Sequence, residues 1–132
     1  MTKVGAGVSV WRGDTLVFRN VRYMGDITAR TKLWFAVKSD HTHVDSASMI
    51  FVEETAGLEY INATAATVPA NGVLFVSDAS LGLVSVTVAA VEMATLPRGR
   101  WYYEIQVLRP TGVETLLRGD FTLVADVTRA VV

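Results

Sequence analysis

The chain has 132 residues, which is enough for one domain that buries about two-thirds of the surface its unfolded form would expose. It contains no cysteine, and this excludes a disulfide framework, a thiolate metal site and a cysteine nucleophile. The formal net charge of -1 lacks the basic excess that nucleic-acid-binding proteins carry. Hydrophobic residues make up 51% of the chain and charged residues only 19%, so we expect a partner to cover part of its surface.

Two segments bear on where the chain is located. Residues 1–11, MTKVGAGVSVW, lack the long apolar stretch of a signal peptide. Residues 81–96, LGLVSVTVAAVEMATL, are too short and too polar to span a bilayer. We therefore expect a protein that is not exported through a signal peptide and does not enter a membrane.

Alternation of apolar and polar residues predicts strands along almost the whole chain, and no segment repeats convincingly with the period of a helix. The first strand is DTLVFRNV, at residues 14–21, and the second is ARTKLWFAVK, at residues 29–38. Four further strands are predicted at residues 47–53, 58–63, 72–77 and 83–93. Segments rich in Gly, Pro, Asp and Asn separate them and predict turns.

The last third of the chain predicts a β-hairpin. Its first strand, GRWYYEIQVLR, places Trp101 and Tyr103 on one face and Tyr102 on the other, so we expect the first two to be core residues. The turn at residues 110–112 combines a proline with a glycine, and VETLLRGDFTLVADV returns as the second strand, with an interruption predicted at Gly119. Seven to nine antiparallel strands in this arrangement predict an all-β fold, a single immunoglobulin-like β-sandwich over residues 1–132.

The tripeptide Arg-Gly-Asp, familiar as an adhesion motif, occurs at residues 12–14 and again at residues 118–120. Each copy leads directly into an alternating strand, which denies it the protruding loop that a receptor requires. We interpret Gly13 and Gly119 as glycines that take a positive φ at a turn or bulge, and we reject integrin-type adhesion.

Motifs at the two ends of the chain stand in a distinctive order. RGDTLVF and DIT lie near the start, and LPRGRWYYEIQVLRPTGVETLLRGDFTLVADVTR occupies residues 96–129. In this order they resemble a family of small tailed-bacteriophage virion domains, exemplified by the N-terminal immunoglobulin-like domain of the phage baseplate upper protein. The matching positions are Gly13, Asp14, Asp26, Thr28, Gly99, Tyr102, Tyr103, Glu104, Gly112, Gly119, Phe121, Asp126, Val127, Thr128 and Arg129.

The resemblance implies a function in a virion, where such domains attach receptor-binding parts to a tail or baseplate. The implied partners are other virion proteins, and we expect further copies of the chain among them. The charge balance and the lack of a membrane-spanning segment predict no nucleic acid and no membrane as partners. The implied location is the virion, after synthesis in the cytoplasm of the host bacterium. Related modules continue into a helical linker and further domains, whereas this sequence stops at RAVV, which favours a stand-alone subunit.

The segment SDHTHVDS contains the two histidines of the chain, His41 and His43. In an extended segment both imidazoles and Asp45 project to one side, as in a metal site with two histidines and one carboxylate. We favour the alternative, a polar surface loop, because the chain has no third histidine. No Gly-x-Ser-x-Gly motif, glycosidase acid pair or phosphate-binding loop is present, so we expect neither an enzyme nor a cofactor.

Trp34 is the most informative aromatic residue in the sequence. It shares a strand face with Lys32 and Lys38, opposite the apolar residues of the same strand, so we predict an outer-face interface anchor. Tyr102 is predicted to be a second anchor on its own strand. The alternative is that a neighbouring loop of the same chain covers Trp34.

The favoured hypothesis is a structural protein of a tailed phage or prophage particle that acts through protein–protein packing. Its expected place is the tail tip, the baseplate or the tail-fibre attachment, where multiplicity supplies avidity. A capsid decoration protein is one alternative. A carbohydrate-binding adhesin that uses Trp34 or Tyr102 as a sugar platform is another, and a metalloenzyme at His41 and His43 is a third.

Overall fold

The computed structural model describes residues 3–20, 23–40, 42 and 44–124. The strands are β1 (Lys3–Val4), β2 (Val8–Trp11), β3 (Leu16–Arg19), β4 (Lys32–Lys38), β5 (Ile50–Glu53), β6 (Gly57–Ile61), β7 (Thr64–Ala65), β8 (Gly72–Asp78), β9 (Leu83–Val88), β10 (Gly99–Arg109) and β11 (Gly112–Val124). One α-helical turn, α1, spans Ala90–Met93, and 3-10 turns span Asp45–Ala47 and Pro69–Asn71. Within these residues no helix is long and apolar enough to cross a membrane.

The strands form two sheets that pack face to face. The larger sheet has the order β1-β11-β10-β4-β5-β6-β7, with β2 also paired to β11, and the smaller sheet has the order β3-β9-β8. Strands β1 and β2 run parallel to β11, and the other pairings described are antiparallel. This order matches a variable-type immunoglobulin domain, in which two strands are added to the sheet that holds the last hairpin. The predicted immunoglobulin-like β-sandwich is confirmed.

Three aromatic rings join the two sheets at the centre of the core. Phe18 of β3 lies 5.4 Å from Phe35 of β4 and 5.0 Å from Tyr103 of β10, measured between ring centroids. Phe35 and Tyr103 are stacked at 5.9 Å. Antibody domains place a disulfide and a tryptophan on the corresponding three strands. In this cysteine-free chain, aromatic packing links the sheets instead.

Tyr103 also requires space beside it. Its hydroxyl donates a hydrogen bond of 2.8 Å to the carbonyl oxygen of Ala6, which ties the β1–β2 connection to the larger sheet. A Cβ atom at Gly5 would overlap that hydroxyl, and a Cβ atom at Gly119 would lie 2.5 Å from Cε2 of the ring. Glycine is therefore needed on both sides of Tyr103 because the ring approaches the backbone closely.

The two Arg-Gly-Asp copies have different structures. Gly13 has a φ of 88°, in a turn where the Asp14 N–H donates 3.0 Å to the carbonyl oxygen of Trp11, so the predicted positive φ is confirmed. Gly119 does not have a positive φ, and β11 runs through it without interruption, so that prediction is wrong. The physical reason for glycine at this position is the Tyr103 ring on the paired strand.

The strand predicted at residues 83–93 is too long, because β9 ends at Val88 and α1 follows. A continued strand would direct Glu92 into the core, whereas the helical turn directs Met93 inwards, where it is fully buried. The described strands number eleven rather than seven to nine. The additional ones include β1 and β7, of two residues each, which are too short to show a period.

Gly119→Ala is expected to lower the free energy of unfolding by about 2–3 kcal/mol, because the added Cβ displaces the Tyr103 ring from the contact between the sheets. Gly7→Ala is the matched control, since no atom lies within 4 Å of a Cβ built there. Urea unfolding followed by circular dichroism measures both. Equal losses in the two variants would contradict this account of Gly119.

Candidate functional site

The three residues predicted to form an interface lie on the outer face of the larger sheet. Lys32 and Trp34 are on β4, and Tyr102 is on β10. Trp34 is paired with Gln106 and Tyr102 with Lys38, so Trp34 and Tyr102 are separated by about 13 Å along the strands. The structure brings them onto one face without bringing them into contact.

Trp34 is largely covered by its own chain, with an exposed fraction of 9%. Its ring stacks on Phe51 of β5 at 6.3 Å, and Phe51 packs edge-on against Tyr60 of β6 at 5.8 Å. The indole N–H donates 2.9 Å to Oε1 of Gln106. The cover therefore comes from neighbouring strands, and the role of Trp34 in an interface stays a prediction.

Polar side chains beside Trp34 satisfy one another across β10 and β11. The amide of Gln106 donates 2.9 Å to the hydroxyl of Thr115 and 3.4 Å to Oε2 of Glu104. Glu104 is buried and lies 3.7 Å from the guanidinium of Arg118. This network fixes the centre of the outer face, because each partner restrains the rotamer of the next.

A cavity of about 250 Å³ opens beside this network, between β4, β5 and β6. Trp34 and Phe51 form its apolar part, and the charged residues at its walls are Lys32, Asp45, Glu53 and Glu59. Burial raises the pKa of the Glu59 carboxyl, and the neighbouring Glu53 carboxylate raises it further. The charged form of Glu59 is therefore disfavoured in the folded protein.

The metal hypothesis rested on His41, His43 and Asp45. Both histidines lie outside the described residues, so that site stays a prediction. Asp45 forms an ion pair of 3.0 Å with the buried Lys38 amino group. No group of three or more His, Cys, Asp or Glu side chains in the described part of the chain is arranged to hold a metal ion.

The smaller sheet carries exposed apolar residues that the sequence analysis did not single out. Val17 of β3 and Val73 of β8 flank Thr87 of β9 in one cross-strand row. Phe75 lies in the next row, beside Ser85. Val17, Val73 and Phe75 have exposed fractions of 60%, 51% and 60%. We call these three residues the apolar face.

A sequence signal for the apolar face exists in two strands. LVFR and GVLFV have apolar residues at both alternating positions, so each strand has more apolar side chains than one core face accepts. The pattern alone does not reveal which of the two sets faces the core. Only the packing against the larger sheet determines that Leu16, Phe18 and Leu74 point inwards.

Neither a protein-family model nor a curated protein matches the chain. Among solved structures, the chain is similar to murine CRIg, with a TM-score of 0.45, 13% sequence identity, and coverage of 90% of this chain and 91% of that chain.

Glu59→Gln is expected to raise the thermal unfolding midpoint at pH 7 by about 1–2 °C, because it removes a charge that the folded state disfavours. The pKa of Glu59 is raised on folding, so the stability of the wild-type protein falls as the pH rises through the ordinary value of 4.5. The difference between variant and wild type should vanish below about pH 3.5, where the carboxyl is protonated in both states. Calorimetric scans across this range measure it.

Asp26→Asn is a control whose effect on the thermal unfolding midpoint should have the opposite sign. The hydroxyl and backbone N–H of Thr28 donate to the Asp26 carboxylate and hold its pKa below the usual 3.8. This variant should therefore lower the midpoint at pH 7, with the difference shrinking as the pH falls. A Glu59→Gln effect that is the same at pH 3.5 and pH 7 would contradict the assignment.

Proposed function

We propose that this domain is a structural subunit of a tailed phage or prophage particle that acts through protein–protein packing. Its proposed place is the tail tip, the baseplate or the tail-fibre attachment. The observation that carries the packing mechanism is the apolar face of the smaller sheet, formed by Val17, Val73 and Phe75. The association with a particle is supported by the resemblance of the two chain ends to virion domains.

The apolar face is not needed for the core of the sandwich. Residues on the opposite side of the same strands, such as Leu16 and Leu74, fill the space between the sheets. Of the six residues in the two outer cross-strand rows, Arg19 alone is charged. Clustered apolar side chains that half face the solvent, with little charge among them, are typical of a surface that another protein covers.

The size of the apolar face constrains the partner. Three strands span about 10 Å between the outer two, so the face alone is smaller than the roughly 800 Å² that each partner contributes to a stable interface. A partner must therefore extend past the sheet onto surrounding loops, or many weak contacts must act together. Repeated copies in a particle provide the second arrangement, because multiplicity adds avidity.

Four of the positions shared with the virion domains have structural functions in this chain, whereas Asp126, Val127, Thr128 and Arg129 lie outside the described residues. Asp26 and Thr28 close a turn through two hydrogen bonds, of 2.9 and 2.7 Å, to the Asp26 carboxylate. Gly112 has a φ of 126° in the last hairpin, and Gly119 makes room for Tyr103. The resemblance therefore rests in part on residues that determine the fold. This supports the proposal that the chain and the virion domains share one architecture.

The double variant Val73→Ser/Phe75→Ser is expected to weaken assembly, because it removes most of the apolar surface of that face. Light scattering at several concentrations should show wild-type oligomers and a variant shifted towards monomer by at least about tenfold in dissociation constant. Val113→Ser is the matched control, since Val113 is equally exposed but lies on β11, in the other sheet. Oligomers that persist in the double variant would contradict the role of this face.

The proposed location of the domain in a phage particle is tested by immunogold labelling with an antibody raised against the domain. Particles released from cells that encode the chain should be labelled at the tail end. Labelling over the head would instead support the capsid decoration protein. Particles without label would overturn the proposed virion location.

A further inference from the structure

A second surface lies at one end of the larger sheet, on the side of the sandwich opposite the apolar face. Trp11 of β2 and Tyr102 of β10 project there and have exposed fractions of 44% and 42%. Arg98 and Arg100 lie at the same end and are exposed. We call these four residues the arginine–aromatic groove.

Strand pairing determines the layout of the groove. Trp11 pairs with Val124 of β11. Two residues earlier on the same strand, Thr122 pairs with Arg100. After another two residues Tyr102 pairs with Asp120, so the two aromatic residues lie about 13 Å apart along β11. The Arg100 side chain lies between them, in the cross-strand row that contains Thr122. The aromatic rings thus occupy the two ends of one groove.

Two cavities form the concave part of this surface. The first, of about 480 Å³, is lined by Trp11, Arg98, Arg100 and Thr122 among others. The second, of about 280 Å³, is lined by Arg100, Tyr102, Asp120 and Thr122 among others. They share Arg100 and Thr122 and therefore adjoin, and together they make a shallow, open groove. Its length corresponds to two or three sugar rings in a chain.

The two guanidinium groups have no ionic partner in the described part of the chain. Neither Arg98 nor Arg100 forms an ion pair or a side-chain hydrogen bond with a described residue. A planar guanidinium binds a carboxylate through two parallel hydrogen bonds. Two such donors beside exposed aromatic rings therefore favour a ligand that carries both anionic groups and flat apolar faces.

We propose that the arginine–aromatic groove binds an acidic carbohydrate, a chain of sugars bearing carboxylates. Trp11 and Tyr102 stack on sugar rings, and Arg98 and Arg100 bind the carboxylates. Asp120 lies beside Tyr102 and accepts hydrogen bonds from sugar hydroxyls. The site is independent of the apolar face, so the domain is able to hold a partner on one side and a glycan on the other.

Two other ligand classes fit the groove less well. A nucleic acid or polyphosphate requires a basic excess that the chain lacks. A peptide recognised as an added strand needs an open sheet edge, whereas the central strands of the groove, β10 and β11, have neighbours on both sides. An acidic carbohydrate carries both hydroxyl groups and carboxylates, so it offers a binding partner to each of the side chains named.

The test is calorimetric titration of the whole protein with a tetrasaccharide of uronic acids, its carboxyl-reduced neutral counterpart and a short polyphosphate. We expect saturable binding of the uronate and at least about tenfold weaker binding of the other two. Trp11→Ala and the pair Arg98→Ala/Arg100→Ala should each weaken uronate binding by at least about tenfold. Arg19→Ala, an exposed arginine on the smaller sheet, is the control that leaves it unchanged.

An independent readout is the indole N–H resonance of Trp11, which Trp11→Phe identifies among the three tryptophans of the chain. This resonance should shift on addition of the uronate. No uronate binding at millimolar concentration, equal binding of polyphosphate, or uronate binding that survives the paired arginine variant would each overturn the proposal. These results leave the virion assignment untouched, because that assignment is tested on the apolar face and on particles.

Discussion

The contact of Tyr103 with Phe18 and Phe35 is the interaction on which the sandwich depends. The chain has no disulfide to join its sheets, so three rings at 5.0–5.9 Å perform that task. Because the Tyr103 hydroxyl reaches the Ala6 carbonyl, the same side chain also holds the first two strands against β11. The two glycines beside it follow from this packing, because a Cβ atom at either position would overlap the Tyr103 side chain.

The two outer faces of the sandwich differ in how far other residues of the chain cover their apolar side chains. On the larger sheet, Trp34 is covered by Phe51 and hydrogen-bonded to Gln106, so the centre of this face needs no partner to cover it. On the smaller sheet, Val73 and Phe75 have no such cover from the described residues and remain half exposed. The proposed packing function follows from this difference, since the smaller sheet gains most from a partner.

The fold was predictable from the sequence because Trp101, Tyr102 and Tyr103 of β10 alternate between buried and exposed positions and because the turn at residues 110–112 combines a proline with a glycine. Sequence reasoning offered cover of Trp34 by a neighbouring loop as an alternative, whereas the cover comes from Phe51 on the next strand and from Gln106 on β10, which is far away in sequence. The reason for Gly119 depends on its cross-strand partner, and the exposure of Phe75 depends on which face of β8 meets the core. The groove around Trp11 requires the parallel pairing of β2 with β11, which no local pattern predicts.

The central claim is that the smaller sheet faces another protein in the assembled particle. The most direct measurement places a photo-crosslinking amino acid at position 75 and, separately, at position 113, and irradiates intact particles. Our account predicts one crosslinked product of defined mass from position 75 and none from position 113. No product from position 75, or the same yield from both positions, would contradict it.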